Sequence, residues 1–237
     1  MKKIDVCLTP DLIEQHDLSN AIVVVADIFR ATSCMVSGLA SGVASITPVL
    51  TVEECQALQA QGYLAGGERH AQMIEGFDLD NSPFSYMKEE YKGKRIAMTT
   101  TNGTLSITRA KPTAVQILAA SFLNISAIEK YLLSQPFDVL VICAGWKGRP
   151  NLEDTLFAGA LAQRLKAEGY ESTEDSTLLA VTAFQASQDD MLGFLENASH
   201  LRRLKNLSSG EDIPFCLEFD RFDIVPIIKG DDLVLLK

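Results

Sequence analysis

The run AIVVVADIFRATS, residues 21–33, sets what kind of sheet this chain can build. Ala21–Ala26 is unbroken and apolar, with four β-branched residues in succession. A strand with one wet face would alternate; a continuous run suits a strand covered on both faces, as in parallel sheets. Asp27 ends the run with a charge, and Cys34–Leu39 then reads as a helix stopped by Gly42. Asp138–Ala144 (DVLVICA) is a second such strand. It breaks into Gly145–Pro150 before a helix capped by Asn151 and carrying Glu153, Asp154, Phe157, Leu161 and Leu165.

Working outward, Ile4–Leu8, Ser45–Leu50, Tyr63–Ala65, the start of Arg95–Thr104 and Ala114–Ala120 read as further strands. Thr51 with Glu54 three residues on is a capping box opening a helix through Gln61. Pro83 suits the first turn of a short helix through Lys88. Asn124–Ser134, Thr177–Gln185 and Met191–Leu204 are helical in period, the last with a break at Asn197 or Ser199, and Ile213–Phe219 makes a final helix. Phe222–Ile228 and Leu233–Leu236 close the chain as strands around Gly230-Asp231. The alternation predicts a three-layer α/β/α sandwich on a mixed, mostly parallel sheet, with Pro226–Leu236 as an antiparallel edge. At 237 residues, residues 1–237 form one domain or two closely joined lobes.

The chain is 47% hydrophobic and 22% charged with a net charge of −10. Lys and Arg are scattered apart from LRRLK at 201–205, which argues against a nucleic-acid face. No apolar stretch is long enough for a membrane span, and MKKIDVCLTP lacks the apolar core of a secretory leader. Five widely spaced cysteines without a CxxC pair suit reduced thiols. The expected setting is cytoplasmic, with homo-oligomerisation the common default.

In parallel sheets, ligands bind beyond the carboxyl ends of strands. RIAMTTTNGT, residues 95–104, ends an apolar run in hydroxyls and a turn near a helix N-terminus, which suits a phosphate; a plain hairpin turn is the other reading. The strand ends at 27–30, 67–69, 99–104 and 143–154 gather carboxylates and cations. Such hard oxygen donors fit Mg²⁺, and arginines grip oxyanions with two parallel bonds. Each residue also has a duller role: Asp27 as a turn cap, Glu153 and Asp154 as favourable charges in a first helical turn, Asn81-Ser82-Pro83 as a helix cap, and Arg30, Arg69, Lys147 and Arg149 as surface charges. Cys143 to Arg149 has the C-x5-R spacing of a thiolate nucleophile, or Cys143 is a buried structural thiol. The histidines show no metal-ligand spacing, and of the three only His70 falls near the proposed site.

VVVADIFRATS, GGERHAQMIEGFDLDNSP, TTTNGT and CAGWKGRPNLEDTLFAGAL, in this order, resemble the 2-phosphosulfolactate phosphatase family, over about Ile4–Pro226. The resemblance implies an α/β enzyme that uses Mg²⁺ to hydrolyse 2-phospho-3-sulfolactate to sulfolactate on the route to coenzyme M. The positions that match the family motifs are Asp27, Arg30, Glu68, Arg69, Asn81, Ser82, Thr100, Asn102, Gly103, Cys143, Gly145, Glu153 and Asp154. The sequence departs from the pattern at Asp80, where glycine is usual, and at Cys34. With that substrate, Asp27, Glu68 and Asp154 are expected to hold Mg²⁺ directly or through water. Arg30 and Thr100, Thr101, Asn102, Gly103 and Thr104 would cradle the phosphate, and Arg69 and Lys147 meet the sulfonate or carboxylate. Metal-bound water, with Glu153 or Glu68 as base, is the expected nucleophile; a phosphoenzyme on Asp27 or Cys143 is the second route.

Overall fold

The computed structural model describes residues 1–69, 72–204 and 210–236. In chain order the elements are β1 (Ile4–Cys7), β2 (Ala21–Ala26), α1 (Ala31–Ala40), β3 (Ser45–Pro48), α2 (Val52–Gln59), β4 (Leu64–Arg69), β5 (Gln72–Met73), α3 (Pro83–Tyr86), β6 (Arg95–Thr99) and α4 (Gly103–Ala110). There follow β7 (Gln116–Ala120), α5 (Ile125–Leu133), β8 (Asp138–Cys143), α6 (Leu152–Ala167), α7 (Asp175–Ser187), α8 (Met191–Leu195), α9 (Ser199–Leu204), α10 (Asp212–Cys216), β9 (Pro226–Lys229) and β10 (Asp232–Leu235).

All six residues of β2 are buried, as its apolar run requires. Ile22, Val24 and Ala26 face a core shared with α5, α6 and α7, while Val23 and Val25 face one shared with α1 and α4. Two covered faces make the three-layer α/β sandwich. The Thr51–Glu54 capping box forms, although the helix it opens ends at Gln59. The turn after β6 opens α4 rather than a hairpin.

The ten strands lie in the order β1-β8-β2-β7-β9-β10-β3-β6-β4-β5. The sheet is mixed, and one expectation fails: the closing hairpin is not an edge. β9 pairs antiparallel with β7 through Leu118 and Ile227, and β10 pairs antiparallel with β3 through Leu233 and Ile46. The hairpin thus sits between two parallel halves, β1-β8-β2-β7 and β3-β6-β4. Its apolar residues read equally well as edge or centre, because Leu233 is fully buried while its neighbours are partly covered. Three antiparallel steps leave the two halves running in opposite senses. Five inter-strand steps separate β2 from β6, and at roughly 20–25° each they turn the second half by on the order of 100°. Their carboxyl ends can therefore meet instead of facing opposite ways.

Candidate active site

The two sets of strand ends do meet. A cavity of about 310 Å³ opens there, lined by Asp27 just after β2, Glu68 and Arg69 from β4, and Thr100, Thr101 and Asn102 after β6. Arg30, Asn81 and Lys147 complete the part of the wall expected from the sequence.

Backbone fit explains how the halves approach. Gly67 has φ +144°, and a Cβ there would lie 2.0 Å from the Thr99 carbonyl oxygen, so β4 passes β6 at a distance only glycine permits. Glu68 then reaches Thr101, accepting at Oε1 from its amide at 3.1 Å and from its hydroxyl at 2.8 Å. Gly103 is pressed against β2's end: a Cβ would stand 2.9 Å from Asp27 Oδ2 and 2.8 Å from Ala31 Cβ. Thr104 is fully buried and locks the turn, its hydroxyl donating to the Thr100 carbonyl at 3.1 Å.

Asp27 is buried, and burial pushes its carboxyl up to about 6; Glu68 and Glu153 push the same way, against His200 and the Ala31 amide. Glu68 and Asp27 thus present two mutually repelling carboxylates on one wall. That set fits the habit of Mg²⁺, which takes one or two carboxylates and fills its remaining positions with water and substrate oxygens. The expected third ligand does not join them. Asp154 Oδ1 accepts from the Ile28 amide at 2.8 Å and Oδ2 from the Gly145 amide at 3.0 Å, tying the ends of β2 and β8 together. Burial, with Glu153 and Asp27 nearby, holds its carboxyl well above the usual range. Among the described residues, no group of three or more His, Cys, Asp or Glu could hold a metal ion.

The cations divide by commitment. Arg30 is buried and paired with Asp212, whose other oxygen accepts from the Ser82 hydroxyl at 2.7 Å. Ser82 therefore supports the site from behind rather than facing it. Arg69 donates to the carbonyls of Glu68 (2.8 Å) and Leu50 (3.2 Å) and to the Thr99 hydroxyl (2.9 Å). Asp80, where the family pattern has glycine, braces this loop by accepting from the Ser82 amide and the Ser85 hydroxyl.

Cys143 is not brought to the cavity. It is fully buried, and burial, reinforced by Asp154, holds its thiol well above the ordinary value, the opposite of an activated thiolate. Gly145 and Glu153 are likewise outside the wall. Glu153 is fully buried; its Oε1 meets His200 Nδ1, and its Oε2 has no partner among the described residues. His200 itself lines the cavity. His200, Phe29, Trp146, Arg203 and Leu204 are the wall residues that the sequence did not nominate. His70 and Lys205 lie outside the described residues.

An α/β sheet whose strand ends enclose a small cavity lined by Arg30, Arg69, Lys147, Arg203, Asp27 and Glu68 has the architecture of an α/β enzyme. The comparisons with known proteins make this specific. Residues 7–231 match the model of the 2-phosphosulpholactate phosphatase family, and the chain belongs to that family, whose members are phosphoric monoester hydrolases. A Thermotoga petrophila protein named probable 2-phosphosulfolactate phosphatase is 42% identical over 212 residues, covering 90% of this chain and 91% of the relative. Proteins of the same name from Caldanaerobacter subterraneus subsp. tengcongensis and Clostridium botulinum are 37% and 34% identical over 94% and 99% of the chain and 93% and 100% of their own lengths.

Proposed function

We propose that this chain hydrolyses the phosphate ester of 2-phospho-3-sulfolactate, releasing 3-sulfolactate and phosphate with the help of Mg²⁺. The observation that carries this is the charge of the cavity. Arg30, Arg69, Lys147 and Arg203 line it beside Asp27 and Glu68, and among the described residues only Arg30 of the four is in an ion pair, with Asp212, inside a protein of net charge −10. A substrate bearing phosphate, carboxylate and sulfonate would match that excess.

Asp27 and Glu68 would hold Mg²⁺ together with water and substrate oxygens. Bound there, the ion would neutralise charge on the phosphoryl group, which is much of the task in phosphoryl transfer. Arg30 is held by Asp212 and keeps a buried Nε with no partner among the described residues. That donor and the amides opening α4 would bind phosphoryl oxygens. Phe29, Trp146 and Leu204 cover the apolar part of the wall and limit water around the ester.

Proton movement falls to His200 rather than to Glu153 directly. In the tautomer protonated at Nδ1, the ring donates to Glu153 and leaves Nε2 to take a proton from the attacking water. The test is phosphate release from 2-phosphosulfolactate with Mg²⁺ and with EDTA, beside an aryl phosphate. Metal-dependent release favouring the sulfonated substrate supports the proposal. Equal release from other phosphorylated hydroxy-acids would keep the phosphatase and change its substrate. Tight binding without release would make the chain a metabolite sensor.

A further inference from the structure

Two cations on the cavity wall share one aromatic platform. Trp146 is fixed by reciprocal main-chain bonds with Arg149, its amide donating at 2.8 Å and its carbonyl accepting at 3.1 Å. Against its ring lie Arg203, with Cζ 4.1 Å from the centroid, and Lys147, with Nζ 4.6 Å away. All three residues line the cavity. Arg203 Nη2 is buried and has no hydrogen-bond partner among the described residues. Among the described residues neither cation has a carboxylate in ion-pair contact, whereas Arg30 is paired with Asp212 and keeps only its Nε side for a ligand, and Arg69 donates to two carbonyls and a hydroxyl.

We infer that Trp146, Lys147 and Arg203 form a separate subsite for the sulfonate group of the substrate, and that this subsite, not the phosphate site, sets substrate preference. The inference rests on the phosphatase reading above. A sulfonate is charged at every physiological pH, weakly basic and a poor ligand for a hard cation. It therefore sorts away from the carboxylate end and toward guanidinium and ammonium donors. A guanidinium stacked on an indole is partly stripped of water, as the lowering of Arg203 by desolvation also indicates, and such a donor gains most from a weakly hydrated anion. The phosphate, more basic and more highly charged, is left to Asp27, Glu68, Arg30 and the α4 turn. Arg69, expected to meet the sulfonate, is displaced from that role by its bonds to the backbone.

The test compares 2-phosphosulfolactate with 2-phospholactate, which has a methyl group in place of the sulfonatomethyl arm. Measurements use wild type, Arg203→Gln, Arg203→Lys and Lys147→Met, with thermal melts alongside. Arg203→Gln should lower the preference in kcat/KM for the sulfonated ester by about 10- to 100-fold, the value of one or two charge-assisted hydrogen bonds, with Arg203→Lys intermediate. Calorimetry should show the same order of loss for sulfolactate binding but not for lactate. Equal losses on both esters would overturn the assignment, as would an unchanged preference. Failure of wild type to release phosphate from either ester is a different outcome. It would remove the phosphatase reading itself, and calorimetry with sulfolactate would still decide whether Arg203 binds a sulfonate.

Discussion

Asp27 ties the stability of the protein to pH. The folded, metal-free protein holds the Asp27 proton up to about pH 6, against the ordinary 3.8. Below 3.8 both folded and unfolded chains are protonated there; between the two values only the folded one is. The stability that Asp27 contributes is therefore full at low pH and lost as pH rises through about 6. Asp27→Asn should abolish turnover yet raise the melting temperature at pH 7–8 in EDTA, by on the order of 2–4 °C per kcal/mol for a chain of this size. Melts between pH 4 and 8 check this; a variant less stable than wild type at pH 7.5 would mean that burial does not govern Asp27. His200→Gln should cut kcat by about 10²- to 10⁴-fold, the usual share of a general base, and Glu153→Gln by less, read by phosphate release at saturating substrate. Cys143→Ser should keep turnover within about three-fold, since a buried, protonated thiol has no part in the chemistry. Loss of activity without loss of fold would restore it as a candidate.

At the level of elements, the buried ion pair between α10 and the residue before α1 holds Arg30 in place. Asp212→Asn should leave Arg30 buried and unpaired, costing about 3–5 kcal/mol by urea unfolding and most of the activity. Ser82→Ala, which removes one neutral donor to the same carboxylate, should cost about 1 kcal/mol. The reverse order would show that the pair is not what anchors Arg30. The strand ends were legible because a β-branched run stopping at Asp27, or at Thr99–Thr101, marks both the strand and its functional end. What comes from α9 and α10 was not. His200, Arg203 and Asp212 sit in short helices whose charges look like an ordinary solvated face, and only tertiary packing turns them inward. The amides that Asp154 meets were not legible for a related reason: an acid in the first turn of a helix reads the same whether it faces a metal or two backbone amides. Only the direction of its side chain separates the cases.

On the scale of the molecule, charge and thiols behave as wholes. All five cysteines are buried, so a thiol reagent should label none rapidly in native buffer and all five in guanidinium; fast native labelling would point to an opened sheet. The placement of the β9–β10 hairpin bears on how the chain assembles. Its strands come after every other strand in sequence, yet they occupy the middle of the sheet. As the polypeptide is made, β7 and β3 are complete long before anything can pair with their inner sides. Each parallel half then waits with an open row of amides and carbonyls, the state most prone to joining a neighbouring molecule. Only the β9–β10 hairpin, made after both halves, seals both rows at once, so the strand ends that enclose the cavity are brought together only once it has been added.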